Sequence, residues 1–276
     1  MPFKSKTDNL VIKKMARWER RLFNALFLAL YALVLVRLWW PMNLPGQPGW
    51  PDAVLLVLAV VSTVATLARH LPLQNILFAA LVIVLTGGAV TWLNLNAGIP
   101  FGPLTLGDNM GPKLRQTLPW AMPVIWVVAI LNSRGVARLI LRPRRKSRAY
   151  GYWLAGLTAG LMVLFDLAFD PFASRVKHYW VWGPTKFPVV WQGAPLVNFA
   201  AWAVVTLLIL ACVTPLLINK HPTHRRPPDF HPFGVWLGGI LLFAVAAALN
   251  RLWVAAAADA AIGIVTAVFA IRGARW

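Results

Sequence analysis

The sequence has a single cysteine and few acidic residues. Cys212 stands alone, so a disulfide framework, a cysteine zinc site or a redox pair cannot be built within one chain. We expect this cysteine to be a buried helix residue. The chain also lacks a Gly-x-Ser-x-Gly motif, a P-loop and a dinucleotide fingerprint. These absences argue against ATP hydrolysis and against a nicotinamide or flavin cofactor.

Charged residues of either sign are scarce. They make up 13% of the 276 residues, whereas an ordinary soluble domain has about 25%. Hydrophobic residues account for 59% of the chain, and the mean hydropathy is +0.65. Such a composition has too little polar surface to cover a water-soluble globule. It indicates an integral protein of the cell membrane, surrounded by membrane lipids.

Eight apolar segments are long enough to cross a bilayer, which takes about 20 residues in a helix. The predicted helices lie near residues 22–40, 53–69, 73–93, 118–133, 151–170, 196–218, 233–249 and 252–271. Only Asn250 and Arg251 divide the last two segments, so seven spans with one bent element is the alternative. Because short connections join the segments, we expect one all-α transmembrane domain over residues 1–276.

The basic residues lie in blocks between the apolar segments. With the N-terminus in the cytoplasm, 20 of the 27 Lys and Arg residues fall on the cytoplasmic side. The positive-inside rule then predicts an even number of spans with both termini in the cytoplasm, and residues 1–21 as a basic cytoplasmic segment. These blocks suit anionic headgroups, so the net charge of +19 does not indicate a nucleic-acid partner.

Two carboxyl side chains stand inside an apolar helix. Asp166 and Asp170 are four residues apart and therefore share one helix face. A charge toward the bilayer centre costs about 2.5–3.5 kcal/mol, and two adjacent charges cost more, so we expect one carboxyl to hold a proton. One acid beside one base suits proton transfer. The structural alternative is an ion pair with Arg175 or Lys177, with Asp170 merely preceding Pro171 at a helix end.

The other acidic residues are expected to be less central. Asp108 follows Gly107 in a long external loop, on the same side as Asp170, where the three carboxyls would meet in one cavity. Asp259 lies in an Ala-rich helix and is expected to cap it or to pair with Arg251. The remaining four lie in polar flanks and should be solvated: Asp8, Glu19, Asp52 and Asp229. The histidines are scattered, so no metal site is predicted.

Two external loops, residues 94–117 and 171–195, are long and aromatic. The second contains Trp180, Trp182 and Trp191. One explanation is an aromatic belt at the level of the lipid headgroups. The other is that these rings form the wall of a binding site.

Several short motifs follow one another between about Leu73 and Lys220. They are Gly98-Ile-Pro-Phe-Gly102, Asp108 with Gly111-Pro112-Lys113-Leu114, Pro123-x-x-Trp126, Asp166-x-x-x-Asp170-Pro171, Tyr179-Trp180-Val-Trp182, and Gly193-Ala-Pro195-Leu-x-Asn198-Phe199 with Trp202. In this order they resemble the family of membrane carotenoid-biosynthesis proteins that includes the carotenoid 1,2-hydratases. Many members carry a glutamate in the third helix before the Pro-Phe-Gly turn, where this chain offers only Thr91, Asn94 and Asn96.

The resemblance implies cofactor-free addition of water to the terminal 1,2 double bond of an acyclic end group in lycopene-type or γ-carotene-type carotenoids. It implies an acid/base pair of Asp166 and Asp170 in undetermined order, and Asp108 as a third group that orders water or tunes their protonation. Asn198 would be a hydrogen-bonding partner. The implied substrate-binding aromatic residues are Phe101, Trp180, Trp182 and Trp202. Other enzymes of carotenoid biosynthesis are the expected protein partners.

Three alternatives stay open at this point. A carotenoid isomerase or cyclase would use the same protonation but lose a proton or close a ring. A non-catalytic carotenoid-binding protein would leave the pigment unchanged. A transporter would use Asp166 and Asp170 as a proton relay.

Overall fold

Eight helices in the described part of the chain are long and apolar enough to span a membrane. The computed structural model describes residues 6–39, 50–107, 109–184, 189–218 and 228–276. The helices are α1 (Lys6–Trp39), α2 (Trp50–Leu67), α3 (Leu73–Ala97), α4 (Ala121–Ile140), α5 (Tyr150–Pro171), α6 (Leu196–Val213), α7 (His231–Leu249) and α8 (Trp253–Ala274). The prediction of an all-α membrane protein with eight spans is confirmed. Residues 250–252 separate α7 from α8, so the alternative of one bent element is wrong.

The described residues of the connections α3–α4 and α5–α6 contain six short strands. They are β1 (Leu104–Leu106), β2 (Lys113–Leu114), β3 (Leu118–Pro119), β4 (Trp180–Trp182), β5 (Val190–Trp191) and β6 (Ala194–Pro195). All pair antiparallel, as β1–β4, β2–β3 and β5–β6, and Leu104 faces Trp182 across the first pair. Because β1 and β4 belong to different connections, this pair ties the two predicted loops together. We call this end of the bundle the strand end.

Helix α4 is the centre of the bundle and α1 lies at its edge. In their membrane spans, 67% of the α4 residues are buried but only 6% of those in α1. Small residues bring other helices close to α4: Gly135 lies against Pro232 of α7, and Gly273 of α8 lies against the carbonyl oxygens of Leu139 and Ile140. Close approach at glycine is the usual way in which helices pack in a bilayer.

Helices α1 and α4 extend furthest beyond their predicted bounds. Helix α1 begins at Lys6, within the segment expected to precede it. Helix α4 ends at Ile140, so Arg134 and Arg138 are helical residues and not part of a connection. Arg134 is buried, and its Nη2 donates a hydrogen bond of 3.3 Å to the carbonyl oxygen of Leu217. This partner allows a guanidinium to remain inside the bundle.

The end of α5 also differs from the prediction, because Pro171 lies inside the helix. The chain continues from Pro171 into a π-helical turn at Phe172–Val176. Proline has no N–H to bond the carbonyl oxygen of Leu167. The indole Nε1 of Trp191 donates to that oxygen instead, at 2.9 Å. The connection after α5 is thereby fixed to the helix that precedes it.

Cys212 is exposed on α6, so the expectation that it is buried is wrong. Helix α6 is apolar on all sides, which suits a helix with lipid on one face and protein on the other. An apolar run alone cannot tell these two faces apart.

Gly87 of α3 provides a test of this packing. A Cβ added there would lie 2.6 Å from Cγ of Trp126, a fully buried ring. We expect Gly87→Ala to lower the free energy of unfolding by about 1–3 kcal/mol, the usual cost of overpacking. The matched control is Gly160→Ala on α5, where an added Cβ meets no atom within 4 Å. Thermal unfolding in detergent measures both variants, and equal stability of the two would contradict the packing described for α3 and α4.

Candidate active site

Asp166 and Asp170 lie one turn apart on α5, and both are fully buried, with exposed fractions of 1% and 0%. The side chain of Asn198 on α6 donates its Nδ2–H to Oδ2 of Asp166, at 2.6 Å. Asn198 is also buried. The predicted partnership of Asn198 with the carboxyl pair is therefore present in the structure as a short hydrogen bond between two helices.

Asp170 is held by two tryptophans of strand β4. Nε1 of Trp180 lies 3.0 Å from Oδ1 of Asp170, and Nε1 of Trp182 lies 2.9 Å from the same oxygen. Residues two apart in a strand point to the same side, which is how both indoles reach one atom. The other oxygen, Oδ2, is buried and has no hydrogen-bond partner among the described residues. Asp170 therefore presents one fully occupied oxygen and one oxygen open to a further partner.

The alternative in which Asp166 or Asp170 forms an ion pair with Arg175 or Lys177 is wrong, because both basic side chains have other partners. Nζ of Lys177 lies 2.7 Å from Oδ2 of Asp52. Nε of Arg175 donates to the carbonyl oxygen of Gln192, at 2.6 Å. Trp180 has an exposed fraction of only 3%, so it is not a residue of an interfacial aromatic belt.

Phe101 and Trp202 belong to an aromatic layer that adjoins Asn198 and Trp182. The rings of Trp126 and Trp202 stack with centroids 3.9 Å apart, and Phe101 lies 6.2 Å from Trp202. Trp202 follows Asn198 by one turn of α6. Gly102, next to Phe101, has a φ of 113°, and a Cβ on it would lie 3.8 Å from Cζ3 of Trp182. Trp202 is thus linked to the carboxyl pair through Asn198, and Phe101 through Gly102, which lies beside Trp182.

Asn94 is a residue whose role sequence reasoning missed. It is buried, and its Oδ1 accepts the backbone N–H of Phe101 at 2.8 Å and that of Gly102 at 3.3 Å. Its Nδ2 donates to the carbonyl oxygen of Gly102, at 3.0 Å. Asn94 therefore fixes the turn that places Phe101. Its position just before the Pro-Phe-Gly turn was the available signal, since an amide can both donate and accept.

Asp108 lies outside the described residues, so its convergence with Asp166 and Asp170 stays a prediction. Its neighbour Asn109 donates its Nδ2–H to the carbonyl oxygen of Lys177, at 3.2 Å. The β1–β2 connection therefore adjoins the segment that leads into β4. In the parts of the chain that the structure describes, no group of three or more His, Cys, Asp or Glu residues could hold a metal ion.

Asp259 does not pair with Arg251, contrary to the expectation. Its side chain is fully buried on α8, and neither carboxyl oxygen has a hydrogen-bond partner among the described residues. Arg251 is exposed in the turn before α8. Two turns of helix separate their backbones, and the arginine side chain does not follow the helix inward.

Asp52 is not a freely solvated residue, which corrects the prediction for it. Oδ2 of Asp52 accepts hydrogen bonds from Nζ of Lys177 at 2.7 Å and from the hydroxyl of Tyr179 at 2.8 Å. The side chains of Asp52 and Lys177 are only 17% and 18% exposed. Burial, together with the adjacent Asp52 carboxylate, raises the pKa of Tyr179 well above its ordinary value. Tyr179 therefore keeps its proton as a donor to Asp52.

A cavity of about 270 Å³ opens beside this second group. Asp52 and Tyr179 lie at its polar side, and Phe165 and Phe169 of α5 form part of its wall. Its described lining contains neither Asp166 nor Asp170. Helix α5 therefore presents its carboxyls to α6 and β4, and its phenylalanines to the cavity.

Buried paired carboxyls beside tryptophans, within a bundle of apolar helices, define a helical membrane protein with a polar site in its interior. The chain belongs to the carotenoid biosynthesis protein family, whose sequence pattern matches residues 52–269. This result confirms the resemblance read from the ordered motifs.

One relative is bisanhydrobacterioruberin hydratase of Haloarcula japonica. It is 27% identical to this chain over 124 residues, which are 45% of this chain and 40% of the relative. The match thus spans less than half of that protein's length. No solved structure matches the chain.

The two indole bonds to Asp170 can be tested one at a time. Trp180→Phe and Trp182→Phe each remove one N–H donor to a carboxyl group, and we expect each to lower the free energy of unfolding by about 1.5–3 kcal/mol. The control is Trp153→Phe, which changes a 56% exposed indole on α5, the helix that carries Asp170. Unfolding in detergent, followed by circular dichroism, measures all three. Losses no larger than that of the control would show that the indole bonds do not hold β4.

Proposed function

We propose that this protein hydrates carotenoids, adding water to the terminal 1,2 double bond of an acyclic end group of the lycopene or γ-carotene type. Its family gives it a role in modifying carotenoids. The observation that carries the proposal is the buried carboxyl pair Asp166 and Asp170, which accepts hydrogen bonds from Asn198, Trp180 and Trp182. A hydratase needs a proton donor and a proton acceptor within reach of one double bond, and this pair can supply both without a cofactor.

The hydrogen bonds support different roles for the two carboxyls. Oδ1 of Asp170 accepts two indole N–H bonds, an arrangement that favours the ionised form of a carboxyl group. We therefore assign Asp170 as the base, with its open Oδ2 as the atom that binds water. Among the described residues, Asp166 accepts one bond, from the amide of Asn198. We assign it as the acid, positioned by that amide.

The reaction is balanced by these two groups. Asp166 transfers its proton to carbon 2 as the double bond breaks, and a tertiary cation forms at carbon 1. The oxygen of a water molecule bonds to carbon 1, and Asp170 takes a proton from that water. A tertiary alcohol leaves, and transfer of the proton between the two carboxyls restores the starting state.

Aromatic rings supply the remaining requirement, because a tertiary cation in an apolar site needs stabilisation. Trp180 and Trp182 border Asp170 directly, and we propose that their faces attract the cation. Phe101 and Trp202 would hold the hydrocarbon next to it. Asp108 is proposed as a third group that orders the water.

An apolar carotenoid substrate suits an enzyme that lies within a membrane. A long polyene dissolves in the bilayer, so it reaches a site between membrane helices from the lipid. We propose the cell membrane as the location, with both termini in the cytoplasm, and other enzymes of carotenoid biosynthesis as neighbours that exchange such pigments.

The mass of the pigment distinguishes hydration from the alternative reactions. An isomerase or cyclase would leave this mass unchanged, whereas hydration increases it by one water.

The asparagine variants of the pair test their chemical role. Asp166→Asn and Asp170→Asn retain side-chain shape and remove a buried charge or acid, so both should insert and fold. We expect each to lower product formation from lycopene by about 10²-fold or more, the effect of losing a positioned acid or base. Product per folded, detergent-extracted protein, measured by mass spectrometry of the pigments, is the readout.

The matched control is Asp259→Asn, which changes an equally buried carboxyl on a different helix. This variant should keep its activity. Near-full activity in both variants of the pair would remove the chemistry from α5. Equal losses in all three would instead indicate a general effect of altering buried carboxyls.

A further inference from the structure

The cavity beside Asp52 has the features of a binding site of its own, and we call it the chamber. Its wall is formed by five helices, and most of the side chains on it are apolar or aromatic. Examples are Phe27 and Tyr31 of α1, Leu55 of α2, Ile125 of α4, Phe165 and Phe169 of α5, and Trp236 and Phe243 of α7. Such a lining is that of a site for a hydrocarbon group.

The chamber is extended along α4. Its lining on this helix begins at Ala121 and reaches Asn132, a distance of about 16 Å at 1.5 Å per residue. Its volume of about 270 Å³ is enough to hold one end of a chain-like molecule. A longer molecule would have only one end inside, with the remainder in the surrounding lipid.

Polar groups are concentrated at the strand end of the chamber. Asp52 lines it there, held by Lys177 and Tyr179. Trp50 lines it as well, and its buried Nε1 has no hydrogen-bond partner among the described residues. A buried N–H without a partner is unfavourable, so a ligand that accepts this hydrogen bond gains binding energy.

These groups select the chemistry of the ligand's polar end. Asp52 is neutralised by Lys177, so the site favours neither a strong anion nor a strong cation. The indole of Trp50 can only donate a hydrogen bond, and the carboxylate of Asp52 can only accept one. A hydroxyl group does both at once.

We infer that the chamber binds one end of a linear isoprenoid or polyene alcohol, with its hydroxyl hydrogen-bonded between Trp50 and Asp52. This site is distinct from the carboxyl pair. Phe169 forms the chamber wall, and Trp180 lies edge-on behind it with ring centroids 5.5 Å apart. Trp180 in turn donates to Asp170. A layer of aromatic rings therefore separates the two sites across α5.

The connection to the reaction rests on the proposed function. Hydration yields a tertiary alcohol at the end of a polyene, which is the kind of molecule that the chamber would accept. The chamber would then hold a hydroxylated end group, either of the product or of a substrate that already carries a hydroxyl. Binding of a chain alcohol as such does not depend on the hydration proposal.

The test uses all-trans-retinol, a polyene alcohol, and the corresponding hydrocarbon in which the hydroxyl is replaced by hydrogen. Retinol absorbs where tryptophan emits, and Trp50, Trp120 and Trp236 line the chamber. Saturable quenching of tryptophan emission by each probe, on the full chain in lipid nanodiscs, gives the two dissociation constants. We expect the alcohol to bind about 2- to 10-fold more tightly than the hydrocarbon, the value of one net hydrogen bond.

Variants separate the hydroxyl contact from other effects. Trp50→Phe keeps the ring and removes the N–H, so it should reduce the preference for the alcohol while leaving hydrocarbon binding unchanged. Asp52→Asn should reduce the same preference. Asp166→Asn, on the other side of the aromatic layer, should leave both affinities unchanged although hydration is lost.

Three results would overturn the inference: no saturable binding of either probe, equal affinity of the wild-type chain for both, or a preference that is undiminished in Trp50→Phe. Failure of the hydration proposal gives a different pattern. Wild-type protein would then form no hydrated pigment, yet retinol would still bind more tightly than its hydrocarbon.

Discussion

The strand end depends on the hydrogen bonds that the carboxyl group of Asp170 accepts. Its Oδ1 accepts the indole N–H of Trp180 and of Trp182, and both rings belong to β4, which pairs with β1 of the other connection. A buried carboxylate without such donors would be costly in a bilayer. One oxygen atom therefore fixes β4 to α5, and β4 in turn pairs with a connection that is far away in the sequence.

Neighbouring side chains on α5 face different sites. Asp166 and Asp170 face α6 and β4, while Phe165 and Phe169, each one residue earlier, face the chamber. A step of one residue turns a helix by about 100°, which is enough to place polar chemistry on one side and a hydrocarbon wall on the other. The bond from Trp191 to the carbonyl oxygen of Leu167 keeps this part of the helix intact despite Pro171.

Much of the fold could be predicted because bilayer physics acts on each segment separately. Eight apolar runs became eight helices, and the four-residue spacing of Asp166 and Asp170 placed both on one buried face. The partner Asn198 came from the family resemblance. The wrong predictions concern residues whose environment is set by contacts with residues distant in the sequence. Asp52 reads as a polar flank, yet Lys177 and Tyr179, distant in sequence, reach it across the bundle. Arg134 marks a helix end by composition, but the carbonyl oxygen of Leu217 gives it a partner inside the bundle.

Isotope incorporation tests the central claim most directly. Purified protein in nanodiscs is given lycopene in water enriched in heavy oxygen, and in parallel in deuterium oxide. Hydration predicts one heavy oxygen atom in the tertiary alcohol at carbon 1, and one deuterium at carbon 2. An isomerase or cyclase would retain no oxygen from water, and a binding protein would introduce neither label. Unlabelled lycopene, recovered from protein shown to be folded, would contradict the account.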